Sequence, residues 1–275
     1  MKAIAKLVTL TLLALLLALL FTACGGSDEN GLEVMLERGH IVVGIFGESP
    51  PFGYVDAAGN FAGRDAMIAR RFAYELFGDE DSVEFIITEA ANRIEFLTSN
   101  RVDIIIANFT VTPEREEVVD FTLPYGRVTL SVIAPDDAGV SSIADLVGLD
   151  LIVTAGTTAE IYFTQNHPDI NLLRFPNNVA SFQALSDGRG AAMAHDNSLL
   201  LRHVHDNEGF VVVEYRVGNE DVLAPAIRQN EPELYARINE ITLRLRAENF
   251  FYEVFDATMR DFFHPDTNPS DLMYN

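Results

Sequence analysis

The chain has 275 residues, 48% hydrophobic and 22% charged, enough apolar material for a large core and too much for a disordered polymer. Its 19 Lys and Arg stand against 41 Asp and Glu, a formal net charge of −22. That balance argues against nucleic acid and against a polybasic membrane patch, both of which need clustered cations, and suits a protein kept soluble in an exposed setting.

Residues 1–24, MKAIAKLVTLTLLALLLALLFTAC, read as a targeting segment. Lys2 and Lys6 give a positive start, an apolar run follows from Leu7 to Phe21, and the small Thr22 and Ala23 precede Cys24. The pattern resembles a bacterial lipoprotein signal, which implies removal of 1–23 and lipidation of Cys24; a plain secretory signal or a single spanning anchor is the alternative. Cys24 is the only cysteine of the chain and has no disulfide partner within it. Residues 24–30 read as a flexible tether. The expectation is an exported protein, lipid-anchored to the outer face of the cell membrane or periplasmic.

Beyond the tether, strand and helix patterns alternate. HIVVGIF (40–46) has the β-branched richness of a strand. RDAMIARRFAYELFG puts Met67, Ile68, Phe72 and Leu76 on one helical face, with Gly78 as a stop. A strand at VEFIIT, a short helix at NRIEFLTS and a strand at VDIIIA follow. Further strands are expected near 128–133, 151–154, 171–174, 191–194 and 210–213, with helical patterns at 141–147, 158–166, 179–187 and 197–205. From 231 the period is helical, with a break near Glu248 and Asn249, and the last dozen residues from His264 read as an irregular tail. Such alternation predicts an α/β fold with parallel sheets covered on both faces.

Three of these strands end in unusual polar groups. VDIIIA runs into Asn108, Thr110, Thr112, Pro113 and Arg115; LIVTA runs into Gly156, Thr157 and Thr158; AAMA runs into His195 and Asp196. Ligands of open α/β sheets bind beyond the carboxyl ends of the strands, so the three ends together point to one cleft. The Arg115 guanidinium is a planar fork suited to a carboxylate, although it also reads as a surface residue in the first turn of a helix capped by Thr112. Gly156 and Thr157 open a helix whose N–H groups favour an anion, or Thr157 is a plain cap. Asp196 suits an ammonium group, or it caps the next helix. GIFGESPPFGY (44–54) offers Glu48 and Phe52 in a Pro-rich loop, Phe52 being equally readable as a core plug. The spacing of His195, His203 and His205 does not bring three nitrogens together, so no metal is expected. Neither a nucleophile elbow nor a Cys–His arrangement is present, and no cofactor is expected.

Taken together, NRIEFLTSNRVDIIIANFTVTPEREEVVDFTLPYG (92–126), VVGIFGESPPFGYVDAAGNFAG, DLVGLDLIVTAGTTAEIY and FQALSDGRGAAMAHD resemble the polar amino-acid-binding proteins of bacterial ABC importers, solute-binding protein family 3. The resemblance implies a type II periplasmic binding protein-like fold, two α/β lobes joined by a two-segment hinge with the ligand cleft between them. Lobe 1 would hold 31–126 plus 223–263, lobe 2 would hold 127–222, and 264–275 would be a C-terminal tail. Carried over by position, Arg115 would hold the ligand α-carboxylate with Thr110 and the backbone of Thr158. Asp196 would hold the α-ammonium with Thr110 and the main-chain carbonyl of Asn108, where relatives usually have Gly, Ser or Thr. Arg93 and Asn178 match positions near the ligand side chain, and Phe46 stands where other specificities carry an acid or a Lys. The implied ligand order is glutamate or aspartate, then glutamine or asparagine, then basic amino acids. A monomeric receptor serving an ABC permease is expected, not an enzyme; the alternatives are a dehydratase-like catalytic relative or a sensory or adhesive surface protein. Pro225, within VLAPAIRQN, is expected to force an edge position or altered strand pairing.

Overall fold

The computed structural model describes residues 31–275; the signal segment, Cys24 and the tether lie outside the described residues. The chain begins with α1 (Gly31–Arg38), β1 (Ile41–Ile45) and a small three-stranded sheet of β2 (Glu48–Ser49), β3 (Gly53–Val55) and β4 (Phe61–Ala62). It continues through α2 (Arg64–Phe77), β5 (Val83–Ile87), α3 (Arg93–Thr98), β6 (Ile104–Ile105), α4 (Pro113–Glu116) and β7 (Val119–Phe121). A second unit follows, with β8 (Gly126–Pro135), β9 (Asp150–Thr154), α5 (Thr158–Asn166), β10 (Asn171–Phe175), α6 (Asn178–Ser186), β11 (Ala192–Asp196), α7 (Asn197–Asp206) and β12 (Phe210–Leu223). The chain then returns through β13 (Ala226–Arg228), α8 (Pro232–Ala247) and α9 (Phe250–Thr258) to the first unit.

Two five-stranded sheets result, in the orders β5-β1-β6-β13-β7 and β10-β9-β11-β8-β12. The alternation predicted parallel sheets; both are instead mixed. β13 runs antiparallel to both β6 and β7, and β8 antiparallel to β11 and β12. These are the strands that carry the chain between the units, and an antiparallel pair needs no helical crossover. The helical pattern at 141–147 yields only a short 3₁₀ turn, Ile143–Leu146, whereas β12 runs ten residues beyond the predicted 210–213, its register broken by irregularities.

Each sheet has an apolar layer on both faces, because successive side chains of a strand point opposite ways. In the second unit Val132, Leu151 and Val153 pack on one face with Phe163, while Ile133, Ile152 and Met193 pack on the other with Leu185 and Leu200. In the first, Ile68 and Phe72 of α2 bury against Ile41, Val43 and the α8 and α9 side chains Ile241 and Phe255. Each such fully buried side chain contributes about 1.5–3 kcal/mol. α2 stops where Gly78 enters the left-handed region at φ 79°, and Asn249 at φ 62° separates α8 from α9.

The two sheets meet at paired crossing segments, 122–125 and 224–225. Thr122 N–H donates to the Pro225 carbonyl and Tyr125 N–H to the Leu223 carbonyl, both at 2.9 Å. Pro225 therefore sits between β12 and β13, where no ladder donor is required, and β13 lies inside its sheet rather than at an edge. The final residues close over this junction. Arg127 N–H donates to Leu272 O, Tyr274 N–H donates to Tyr125 O, and Met273 is fully buried. The Tyr274 ring lies under the guanidinium of Arg127 at 3.9 Å.

Candidate functional site: the cleft between the sheets

Four strand ends converge on one cleft of about 250 Å³, lined by Phe46, Ala90, Arg93, Asn108, Thr110, Arg115, Thr157, Thr158, His195 and Asp196. A wider groove of about 750 Å³ opens beside it, lined by Glu48, Ser49, Asn178 and Arg202 among others. The opposed buried charges meet in the smaller space.

Arg115 reaches the cleft because α4 starts where it does. Thr112 has an extended backbone and its hydroxyl accepts from Arg115 N–H at 3.4 Å, while Pro113 supplies the first helical φ. The guanidinium is buried, donates to Thr110 O at 2.6 Å and Gly156 O at 3.0 Å, and lies over the Phe109 ring. Burial lowers its pKa to about 10, against the pull of Asp196. Two of its five N–H groups are thus used, leaving three for a ligand.

Arg93, expected near a ligand side chain, lines the same cleft with most of its donors already engaged. It donates to the carbonyls of Ala90, Ala107, Asn108 and Gly156 at 2.9–3.2 Å and lies 4.3 Å over the Phe109 ring. The Asn108 carbonyl, expected to meet a ligand ammonium, already accepts from Arg93 and keeps its second lone pair. Burial and then the neighbouring Arg115 hold the Arg93 pKa well below its ordinary value.

Asp196, the last residue of β11, is 4% exposed. It stands at the N-cap position of α7, but its side chain makes no capping hydrogen bond. The next residue, Asn197, accepts through Oδ1 from Ser198 N–H and Thr129 N–H. The Asp196 carboxylate has His195 Nδ1 3.9 Å away and acts electrostatically on Arg115 and Arg93. Thr158 is the first residue of α5, whose cap is Thr157: the Thr157 hydroxyl accepts from Glu160 N–H and donates to Thr154 O. A helix start leaves such N–H groups without intrahelical partners, and they favour an anion.

His195 lines the cleft, a role that sequence reasoning missed by weighing it only as a metal ligand. Its Nδ1 accepts from the Asp196 backbone N–H at 2.7 Å, so the neutral ring carries its proton on Nε2, 3.0 Å from Asn178 Oδ1. Asn178 in turn donates to Ser49 Oγ at 3.1 Å, across the cleft. Asn178 thus holds His195 rather than lining the small cleft. Burial lowers the His195 pKa from 6.5 in spite of Asp196. A histidine whose folded pKa is depressed binds more protons unfolded, so its contribution is present above pH 6.5 and is lost as the pH falls below it. The difference in melting temperature between the protein and His195→Gln is therefore expected to narrow between about pH 7.5 and pH 5.5, measured by calorimetry.

Two further expected site residues are corrected. Phe52 is fully buried in the core beneath Arg64, so it covers no ligand. Glu48 is exposed in β2, lining the wider groove and facing Glu89, whose pKa is raised by burial and then by Glu48. A Pro-rich loop gives no sequence sign of which side chain turns inward.

Gly156 joins the two sides. Its carbonyl accepts from both Arg93 and Arg115, its φ is +76°, and an added Cβ would lie 2.5 Å from Ala91 Cα and 2.9 Å from Ala90 C. Backbone cannot yield as a flexible side chain can, and the left-handed φ adds strain. Gly156→Ala is expected to hold the two sides apart and weaken ligand binding by about 1–3 kcal/mol, with a larger radius of gyration by X-ray scattering in saturating ligand.

The chain is similar to several known amino-acid-binding proteins. A cysteine-binding protein from Campylobacter jejuni is 45% identical, with 90% of this chain and 99% of that one covered and a TM-score of 0.88. A solute receptor for L-cysteine of Neisseria gonorrhoeae is 40% identical, covering 89% and 99%, with a TM-score of 0.87. The ABC transporter glutamine-binding protein GlnH of Bacillus subtilis is 24% identical over 93% of this chain and 98% of its own. The fold is that of a type II periplasmic amino-acid-binding protein. Residues 41–257 match the model of one family, and the chain belongs to the bacterial extracellular solute-binding proteins, family 3.

Proposed function

We propose that the protein captures a small L-amino acid, L-cysteine first, between its two lobes and delivers it to the permease of an ABC importer. The observation that carries this reading is one cleft in which Arg115 keeps three N–H groups to offer and Asp196 keeps a buried carboxylate free of any capping bond. A zwitterion taken out of water needs an opposite charge at each end. Arg115 and Thr110 come from the first unit, Asp196 and Thr158 from the second, so the ligand favours the closed arrangement over the open one. The same pairing speaks against a dehydratase-like substrate without an ammonium group.

L-Cysteine is placed first because two relatives of 45% and 40% identity carry that ligand in their names. A second reading, L-glutamate or L-aspartate, has Arg93 in its favour: repelled by Arg115, its charge would welcome a side-chain carboxylate. Four of its five N–H groups are already spent on carbonyls, which places glutamine and asparagine no higher. Thermal-shift screening of refolded protein against the common amino acids tests this, since a ligand of the native state raises the midpoint with concentration. The largest shift is expected with L-cysteine under reducing conditions; a larger shift with glutamate supports the second reading, and none with any amino acid sinks both. Lipidation of Cys24 would hold the receptor at the membrane face, and incorporation of a labelled fatty acid that survives Cys24→Ala would rule that out.

A further inference from the structure

Arg64 and Asp65 were not singled out by the sequence, yet both are buried at the start of α2, 1% and 0% exposed. The Arg64 guanidinium sits 4.9 Å from the ring centres of both Phe52 and Tyr125. Its Nε donates to Asp65 Oδ1 at 2.8 Å, and its second terminal nitrogen lies 2.7 Å from the same oxygen. Rings on two sides and a carboxylate on a third leave it no freedom to turn. The same terminal nitrogen donates to Asn108 Oδ1, from behind the cleft.

Asn108 is 4% exposed, lines the cleft, and has φ +45°, a conformation that Asn tolerates better than most residues. Guanidinium is a donor only, so the atom of the Asn108 amide that faces Arg64 has to be the oxygen. The other amide atom, Nδ2, is then fixed in place; it is buried and meets no acceptor among the described residues. A buried donor without an acceptor is costly, and a ligand oxygen or sulfur relieves that cost.

We infer that the Asn108 side-chain amide donates a hydrogen bond to an acceptor atom of the bound amino acid, and that Arg64 is a positioning residue acting through it. This rests on the amino-acid-capture reading and adds to it a specificity contact from the Asn108 side chain. The acceptor would be a carboxylate or amide oxygen or a thiol sulfur. Replacing Asn108 by Gly suits the positive φ and removes the amide without adding a charge.

The experiment is a double-variant cycle on the full protein with L-cysteine, L-glutamate and L-glutamine as probes, together with NMR of the labelled Asn108 amide. Asn108→Gly is expected to weaken binding about 10-fold, and the Asn108 Nδ2 protons to shift and become protected from exchange on ligand addition. Arg64→Lys is expected to weaken binding in the wild-type background but to add nothing in Asn108→Gly, because its effect passes through the amide. Additive losses, or an amide signal that does not respond to ligand while Arg115→Ala still weakens binding at least about 100-fold, would overturn this inference and leave amino-acid capture standing. An unresponsive amide bridged instead by buried water to Asp65 Oδ2, the other unpartnered atom of the cluster, is likewise contrary to it. Absence of binding by the wild-type protein would overturn both.

Discussion

Arg115→Ala is expected to cost about 3–5 kcal/mol of amino-acid binding, which is two to three and a half powers of ten in Kd. The guanidinium is buried, and its burial has already been met in the protein by two carbonyls and the Phe109 face. What it offers the ligand is a preformed fork, so little ordering remains to offset on binding. Removing it strands the α-carboxylate beside the remaining cleft groups, leaves Thr110 O without its donor and leaves Gly156 O with that of Arg93 alone. Arg115→Lys is expected to restore only part of the affinity, because a point charge cannot serve a carboxylate and two carbonyls in one plane. Calorimetric titration checks both variants. Near-wild-type affinity in Arg115→Ala would mean that the ligand carboxylate is held elsewhere.

Arg64→Met is expected to lower unfolding stability by about 3–5 kcal/mol, since it leaves a fully buried carboxylate without its counter-charge. Burial already raises the Asp65 pKa against the pull of Arg64, from its ordinary 3.8. Without the arginine that rise grows. A carboxyl whose folded pKa stands above its unfolded one binds more protons when folded, so its penalty is present above the folded pKa and fades as the pH falls through it. The variant's deficit is therefore larger at neutral pH than in acid, measured by urea unfolding at several pH values. Arg64→Met with Asp65→Leu is expected to recover much of the loss, because an apolar pair of similar volume replaces a buried ion pair at little net cost.

Much of this fold is written in side-chain periodicity, and the limits of that signal are physical. Helices such as α2 and α8 carry an apolar stripe and their own stops at Gly78 and Asn249. Strand direction has no such signature: β8 and β12 read like any buried strand, and only the crossing segments make them antiparallel. In the cleft, Arg115, Thr110, Thr158 and Asp196 were legible because charged and hydroxyl groups at buried strand ends have few structural uses. Phe52 was ambiguous for the converse reason, since a phenyl ring serves core and cleft alike. Arg64 and Asp65 were invisible: a charged pair on a helix start reads as a solvated face, and only their burial beneath Tyr125 and Asn108 gives them a role. Asn108 holds a positive φ that Asn tolerates better than most residues with a side chain.

The claim that Arg115 and Asp196 clamp the two ends of a zwitterion is tested most directly by calorimetric titration with three compounds. L-Cysteine carries both charges, 3-mercaptopropionate lacks the ammonium, and cysteamine lacks the carboxylate. The refolded protein is expected to bind L-cysteine at one saturable site and each truncated compound at least about 100-fold more weakly, because each leaves one buried charge unpaired. Binding of 3-mercaptopropionate or cysteamine as tight as that of L-cysteine would contradict the clamp.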